Sequence, residues 1–227
     1  MADLPAAHLG ERFLAFVRRP DFPCVGAKAA LAHGDIAVLA ARDIRSAWDD
    51  MAIYDAVAAF AARYRRRPEP FQSLAVVFAG PGDLTEEAFE AALWNRLQSL
   101  ADKDAFNGHL YDGRVSADAD DPHFSLSLGE EAFFVIGLHP GASRPARRFE
   151  RPALVFNPHD QFQRLRAEGR YEMLRTRIIA RDVALAGEAN PMLARHGEAS
   201  EARQYSGRLV GPDWRCPFAA KAPKGPA

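Results

Sequence analysis

The segment Phe71 to Ala79 contains Leu74-Ala75-Val76-Val77-Phe78, nearly all apolar, and runs straight into the turn Gly80-Pro81-Gly82-Asp83. A strand that is apolar at every position has no face to give to water, so its sheet must be covered on both sides. Ala132 to Leu138 repeats the pattern. Neither run approaches the ~20 residues needed to cross a bilayer. The segments between them carry helical periodicity, which predicts an α/β domain (α+β as the variant) with a mixed sheet of about five strands under helices.

The helices declare themselves by their ends. Leu9 to Arg19 puts Leu9, Phe13, Leu14, Phe16 and Val17 on one face before Pro20. Asp21-Phe22-Pro23 forces extended backbone ahead of Cys24, and the Ala-rich stretch Val25 to His33 closes at Gly34. Ile36 to Ala40 is predicted as a strand. Ser46 caps a helix to Arg67, which stops at Pro68, and Thr85 caps another to Asp102. His123 to Leu128 and Ala132 to Leu138 form a hairpin around Gly129-Glu130-Glu131, and Leu154 to Phe156 is a further short strand. Gln161 to Ala186, broken near Gly169, gives one or two helices. Asp102 to Glu131 holds eight acidic residues against Lys103 and Arg114, so most of it is predicted as a solvated excursion without a catalytic part.

With 227 residues and 48% hydrophobic content the chain can bury one core. The expected organisation is one domain over residues 1–218 and a disordered tail over 219–227, where Ala, Pro and Lys dominate. Lys+Arg of 29 against Asp+Glu of 30 gives 29 − 30 = −1, which removes the footprint of a nucleic-acid or membrane-surface binder. Met1 to Pro5 has no basic-then-apolar leader, and two cysteines cannot make a disulfide framework, so a cytoplasmic location is expected. A homodimer is compatible with these features.

Charge is uneven within that balance. Between Arg144 and Arg181 stand ten Arg against four acids, an excess of 10 − 4 = +6. Arg144, Arg147 and Arg148 follow a buried strand, where α/β sheets place ligands, and guanidinium groups hold phosphates or carboxylates bidentately. The plainer alternative pairs these arginines with the acidic excursion. His139 and His159 each follow a strand, the second within Asn157-Pro158-His159, but no zinc-ligand spacing accompanies them. Cys24 opens a helix, a position that lowers a thiol pKa, although a buried inert cysteine is the commoner fate. Cys216, in Trp214-Arg215-Cys216-Pro217-Phe218, packs against Cys24 or fills a pocket. Nucleophile elbow, phosphate loop, His-Glu-x-x-His and Cys-x-x-Cys motifs are all missing from the sequence.

Several stretches together resemble the YqcI/YcgG family of bacterial proteins. They are Phe22-Pro23-Cys24; Phe133 to Pro140 with Ser143-Arg144 and Ala146 to Phe149; Phe156 to His159 with Gln161-Phe162; Asn190-Pro191-Met192; Ala202 to Gly207; and Cys216-Pro217-Phe218. The resemblance spans about Phe22 to Phe218, in the family's order. Members in the guanitoxin and D-cycloserine pathways are haem-dependent N-hydroxylases of a guanidine group. The resemblance therefore implies haem b, dioxygen, an external electron donor and a guanidine or related amine substrate.

It also implies roles. Cys24 is the first choice as axial ligand, since a thiolate favours O–O cleavage, with His139 and His159 as competitors. Arg144, Arg147 and Arg148 would meet the haem propionates. Glu201 would grip the substrate guanidinium, and Tyr205 and Asn157 would orient oxygen or substrate, each with a structural alternative. Two rival functions remain: a non-catalytic haem-binding or haem-sensing protein, and a cofactor-free binder of an anionic metabolite.

Overall fold

The computed structural model of the chain describes residues 6–192 and 197–223. Met1 to Pro5 and the last four residues of the expected tail lie outside the described residues. Five strands form one mixed sheet in the order β1 (Ile36–Asp43), β2 (Ser73–Gly80), β5 (Ala153–Pro158), β4 (Glu131–Leu138), β3 (Leu126–Leu128). The first pair is parallel and the other three are antiparallel. Central β2 is buried along Ser73 to Phe78, as its unbroken apolar run requires.

Alternate side chains of each strand feed two cores. Leu74, Val76, Phe133, Val135, Leu154 and Phe156 pack under α3 (Asp50–Arg66) and α4 (Glu86–Phe106). Ala75, Val77, Ala153 and Val155 pack under α1 (Ala6–Arg18), with Phe13, Phe16 and Phe149 meeting edge to face or tilted. The helix-end signals hold locally: the Cys24 side chain accepts from the Ala27 N–H at the start of α2 (Val25–His33), and Gly34 closes it with φ +74°. Ser46 caps a short 3-10 turn that runs into α3, and Thr85 caps α4. The helical stretch after β5 is divided at Gly169 into α5 (His159–Ala167) and α6 (Tyr171–Ala186), and α7 (Ala202–Tyr205) follows. Among the described residues no helix is long and apolar enough to cross a membrane.

Two expectations need correcting. The acidic stretch from Asp102 is a solvated excursion only in part: residues 107–123 are irregular and mostly exposed or half-exposed, but α4 runs on to Phe106, and Asp104, Asp112 and Glu131 are buried. These carboxylates act as internal acceptors. Asp112 takes the Ala132 N–H at 2.9 Å, Asp104 the Gly129 N–H at 2.8 Å, and Arg114 bridges Asp112 and Glu131 at 2.6 and 2.9 Å. The Arg excess does not pair with this stretch either, because most of it serves backbone carbonyls and nearer acids, as described below. The tail is anchored where it begins: the Ala219 N–H donates to Gln98 at 2.9 Å and Lys221 pairs with Asp102.

Candidate functional site

Strand direction divides the candidate residues. β4 and β5 are neighbours, as two histidines at adjacent strand ends require, but they run antiparallel with Leu138 opposite Ala153 and Phe133 opposite Pro158. His139 and His159 therefore lie at opposite ends of the pair, separated by roughly 17 Å of strand. No single metal or small ligand can touch both.

At the His139 end stand Arg144, Arg147 and Arg148, and the charge of Arg147 also reaches the Cys24 thiol. His139 is 1% exposed, its ring stacked on Phe89 with centroids 4.3 Å apart. Its Nδ1 is buried without a partner. Burial, joined by the positive charge of Arg147, pushes the imidazole pKa down, so the ring is held neutral with an unshared pair. Gly141 lies against it: a Cβ there would stand 3.5 Å from His139 Nδ1 and 2.9 Å from the Leu84 carbonyl.

Arg147 is committed to the fold. It donates to the Gly137 carbonyl at 2.9 Å and to the carbonyls of Gln204 and Tyr205 at 3.1 and 3.3 Å. It thus covers the β4 edge that short β3 leaves open and holds the end of α7. Desolvation brings its pKa down to about 10. Arg148 donates to the Ala142 and Ser143 carbonyls, both at 2.9 Å. Arg144 pairs with buried Asp182 of α6 and reaches the Glu188 carbonyl at 3.2 Å, while its Nε is buried without a partner. The same holds for Arg181 Nε and Arg166 Nη1 on α6 and α5, and for Gln161 Oε1.

Cys24 departs from its expected chemistry. Its side chain does accept from a helix-start N–H, and the N–H groups of Ala27 and Gly26 and the charge of Arg147 all favour the thiolate. Burial outweighs them and pushes the thiol pKa up, because a thiolate there loses more hydration than these partners return. Cys216 is also a free thiol, pushed up to about 12 by burial beside the α3/α4 core.

The His159 end has a different character. His159 Nε2 is 3.0 Å from the Gln163 amide nitrogen and Nδ1 is 2.8 Å from Ser125 Oγ, whose hydroxyl donates to Glu201 at 2.6 Å. Ser125, fully buried, is the member the sequence reading missed; a serine just ahead of a strand carries no signal of its own. Tyr205 spans the two ends. Its hydroxyl donates to the Phe133 carbonyl at 2.9 Å and accepts the Leu126 N–H at 3.2 Å, standing between β3 and β4 where their ladder opens. Its carbonyl lies at Arg147. Asn157 accepts from the Ser73 hydroxyl at 2.7 Å and donates to the carbonyls of Phe134 and Val155, stitching β2, β4 and β5.

The structure thus gathers His139 and the three arginines at one end, and His159, Glu201 and the Tyr205 hydroxyl at the other, while Cys24 is linked to the first group through the charge of Arg147 alone. Among the described residues no three His, Cys, Asp or Glu side chains are grouped to hold a metal ion. The sequence model of the YqcI/YcgG family matches residues 13–219. No curated protein and no solved structure matches the chain.

Proposed function

The chain belongs to the YqcI/YcgG family, and on that premise we propose that it is a haem-dependent monooxygenase that N-hydroxylates a guanidine or related amine. Its partners in this reading are dioxygen, the small substrate and an external electron donor, with cytoplasmic residence and a homodimer compatible with it. The observation that supports it is the set of buried polar atoms without partners at the His139 end of β4. A neutral imidazole nitrogen, His139 Nδ1, and one guanidinium N–H, Arg144 Nε, are enclosed there, and buried polar groups are paired in almost every protein.

Those atoms fit part of what haem b demands of a protein: one axial donor, and a cation for one of its two propionates. His139 supplies the donor more readily than Cys24, since the imidazole already has its unshared pair whereas the thiol must first lose a proton that burial retains. Arg144 is the arginine with donor capacity to spare, because Arg147 and Arg148 are occupied by carbonyls. Asp182 is a buried carboxylate at this end and already holds a guanidinium, that of Arg144. Glu201 lies with His159 at the far end, so it can serve a substrate only if His159 is the ligand. Bound haem would supply the redox centre at which dioxygen is activated. This chain would contribute a His139 donor that burial keeps neutral and Phe89 covers, and an Arg144 cation for a propionate.

The test is haem titration of the purified protein, with spectra recorded ferric, reduced, and reduced under carbon monoxide. A strong Soret band with a histidine-type carbonyl spectrum is expected, lost in His139→Gly and restored by added imidazole. A red-shifted, thiolate-type carbonyl band that disappears in Cys24→Ala would move the ligand to Cys24. A wild-type protein that gives no Soret band refutes the reading and leaves the anionic-metabolite binder, which shares the unpartnered guanidinium groups.

A further inference from the structure

Among the described residues the sheet ends at β1, and no strand lies on its outer side. The Asp35 carbonyl accepts the Ser73 N–H at 3.0 Å, so Asp35 and every second residue after it face β2. Ile36, Val38, Ala40 and Arg42 therefore turn their N–H and C=O groups away from the sheet. At one end of this row the Arg42 N–H is taken by Asp49 at 2.8 Å; at the other the Gly34 N–H is taken by the closing turn of α2. Ile36, Val38 and Ala40 remain, half-exposed, in a stretch with no charge or proline from Ile36 to Ala41. Native edges are normally blunted by such residues, and this one is not.

We propose that β1 pairs antiparallel with β1 of a second copy about a twofold axis at Val38, making one ten-stranded sheet from two five-stranded ones. The register follows from which groups are free. With Val38 opposite Val38, Ile36 of each copy lies opposite Ala40 of the other, and each of these three pairs exchanges two hydrogen bonds. Side chains match in size, Ile36 with Ala40 on one face and Ala37 with Leu39 on the other. Like charge opposes the neighbouring register. A shift of one hydrogen-bonded pair sets Asp35 against Asp43 and asks for the Arg42 N–H that Asp49 already holds. Exposed apolar surface continues past the strand end in Trp48, 76% exposed with the Arg42 guanidinium 5.0 Å from its ring centroid, and Met51, 54% exposed. The pairing is independent of haem.

Sedimentation equilibrium of the full chain across a micromolar dilution series tests it. A reversible dimer is expected, and in that dimer the amide hydrogens of Ile36, Val38 and Ala40 exchange more slowly at high protein concentration than at low. Ala40→Pro removes one outward N–H without touching the β1/β2 ladder, a substitution that sheet edges accommodate, and should abolish the dimer while the far-UV spectrum is kept. A monomer at every concentration overturns the proposal. So does a dimer in which those three amides show no dependence on concentration, a readout that stands even if the proline variant fails to fold.

Discussion

Tyr205→Phe separates a structural tyrosine from one that orients substrate. The substitution deletes a single oxygen and leaves the ring stacked on Trp94 at 5.6 Å and edge-on to Phe134 at 5.5 Å. What it strands is the Leu126 N–H and the Phe133 carbonyl, both in residues with no solvent exposure. A buried backbone group left unpaired costs about 1–3 kcal/mol, so two of them, partly relieved by relaxation of short β3, should destabilise the fold by about 2–4 kcal/mol. For a chain of this size that is a fall in Tm of about 4–16 °C. The assay is thermal unfolding without added haem, followed by circular dichroism, with a urea titration to confirm an unchanged slope. A fall below about 2 °C would show that the hydroxyl does not hold β3 to β4 and would return Tyr205 to the list of groups free to meet substrate.

Three further outcomes follow from the same contacts. Arg147→Met should lower Tm even in protein never exposed to haem, since three carbonyls on β4 and α7 lose their donor; an unaltered melt would return this arginine to a purely ligand-binding role. Gly137→Ala should be among the most damaging single changes, because the added Cβ would stand 2.7 Å from Leu93, 2.8 Å from Phe89 and 2.9 Å from the Tyr205 carbonyl; soluble yield and Tm check it. His139, whose folded pKa is lowered, is neutral in both states above the unfolded value of about 6.5 and there gives no pH dependence. As pH falls from about 6.5 toward the folded pKa, only the unfolded chain gains the proton, so wild-type stability should decline over that window. His139→Phe, which keeps a ring on Phe89, should flatten that part of the decline; identical pH profiles for the two proteins would contradict a buried neutral His139.

Much of the fold was legible because its signals are local. The run at Leu74 to Phe78 needs no partner to announce burial on both faces, and Gly34, Ser46, Thr85 and Gly169 mark helix ends through their own backbone or side-chain chemistry. The acidic stretch after Asp102 misled for the complementary reason. Charge predicts exposure only while it is unpaired, and the partners of Asp104 and Asp112, the N–H groups of Gly129 and Ala132, come from the distant hairpin. The site was legible as residue types and not as geometry. Cys24 at a helix start reads as an activated thiol until desolvation is set against the helix N–H groups.

The amino-acid sequence by itself determined the layered α/β class, the helix limits and the family, since periodicity, capping and motif order are properties of neighbouring residues. Tertiary structure alone decided that β4 and β5 run antiparallel, which sends His139 and His159 to opposite ends of the sheet and parts Glu201 from His139. It also decided that Arg147 is spent on carbonyls while His139 Nδ1 and Arg144 Nε lack partners. Strand direction and desolvation depend on which distant segments pack together, and no single stretch of chain carries that information.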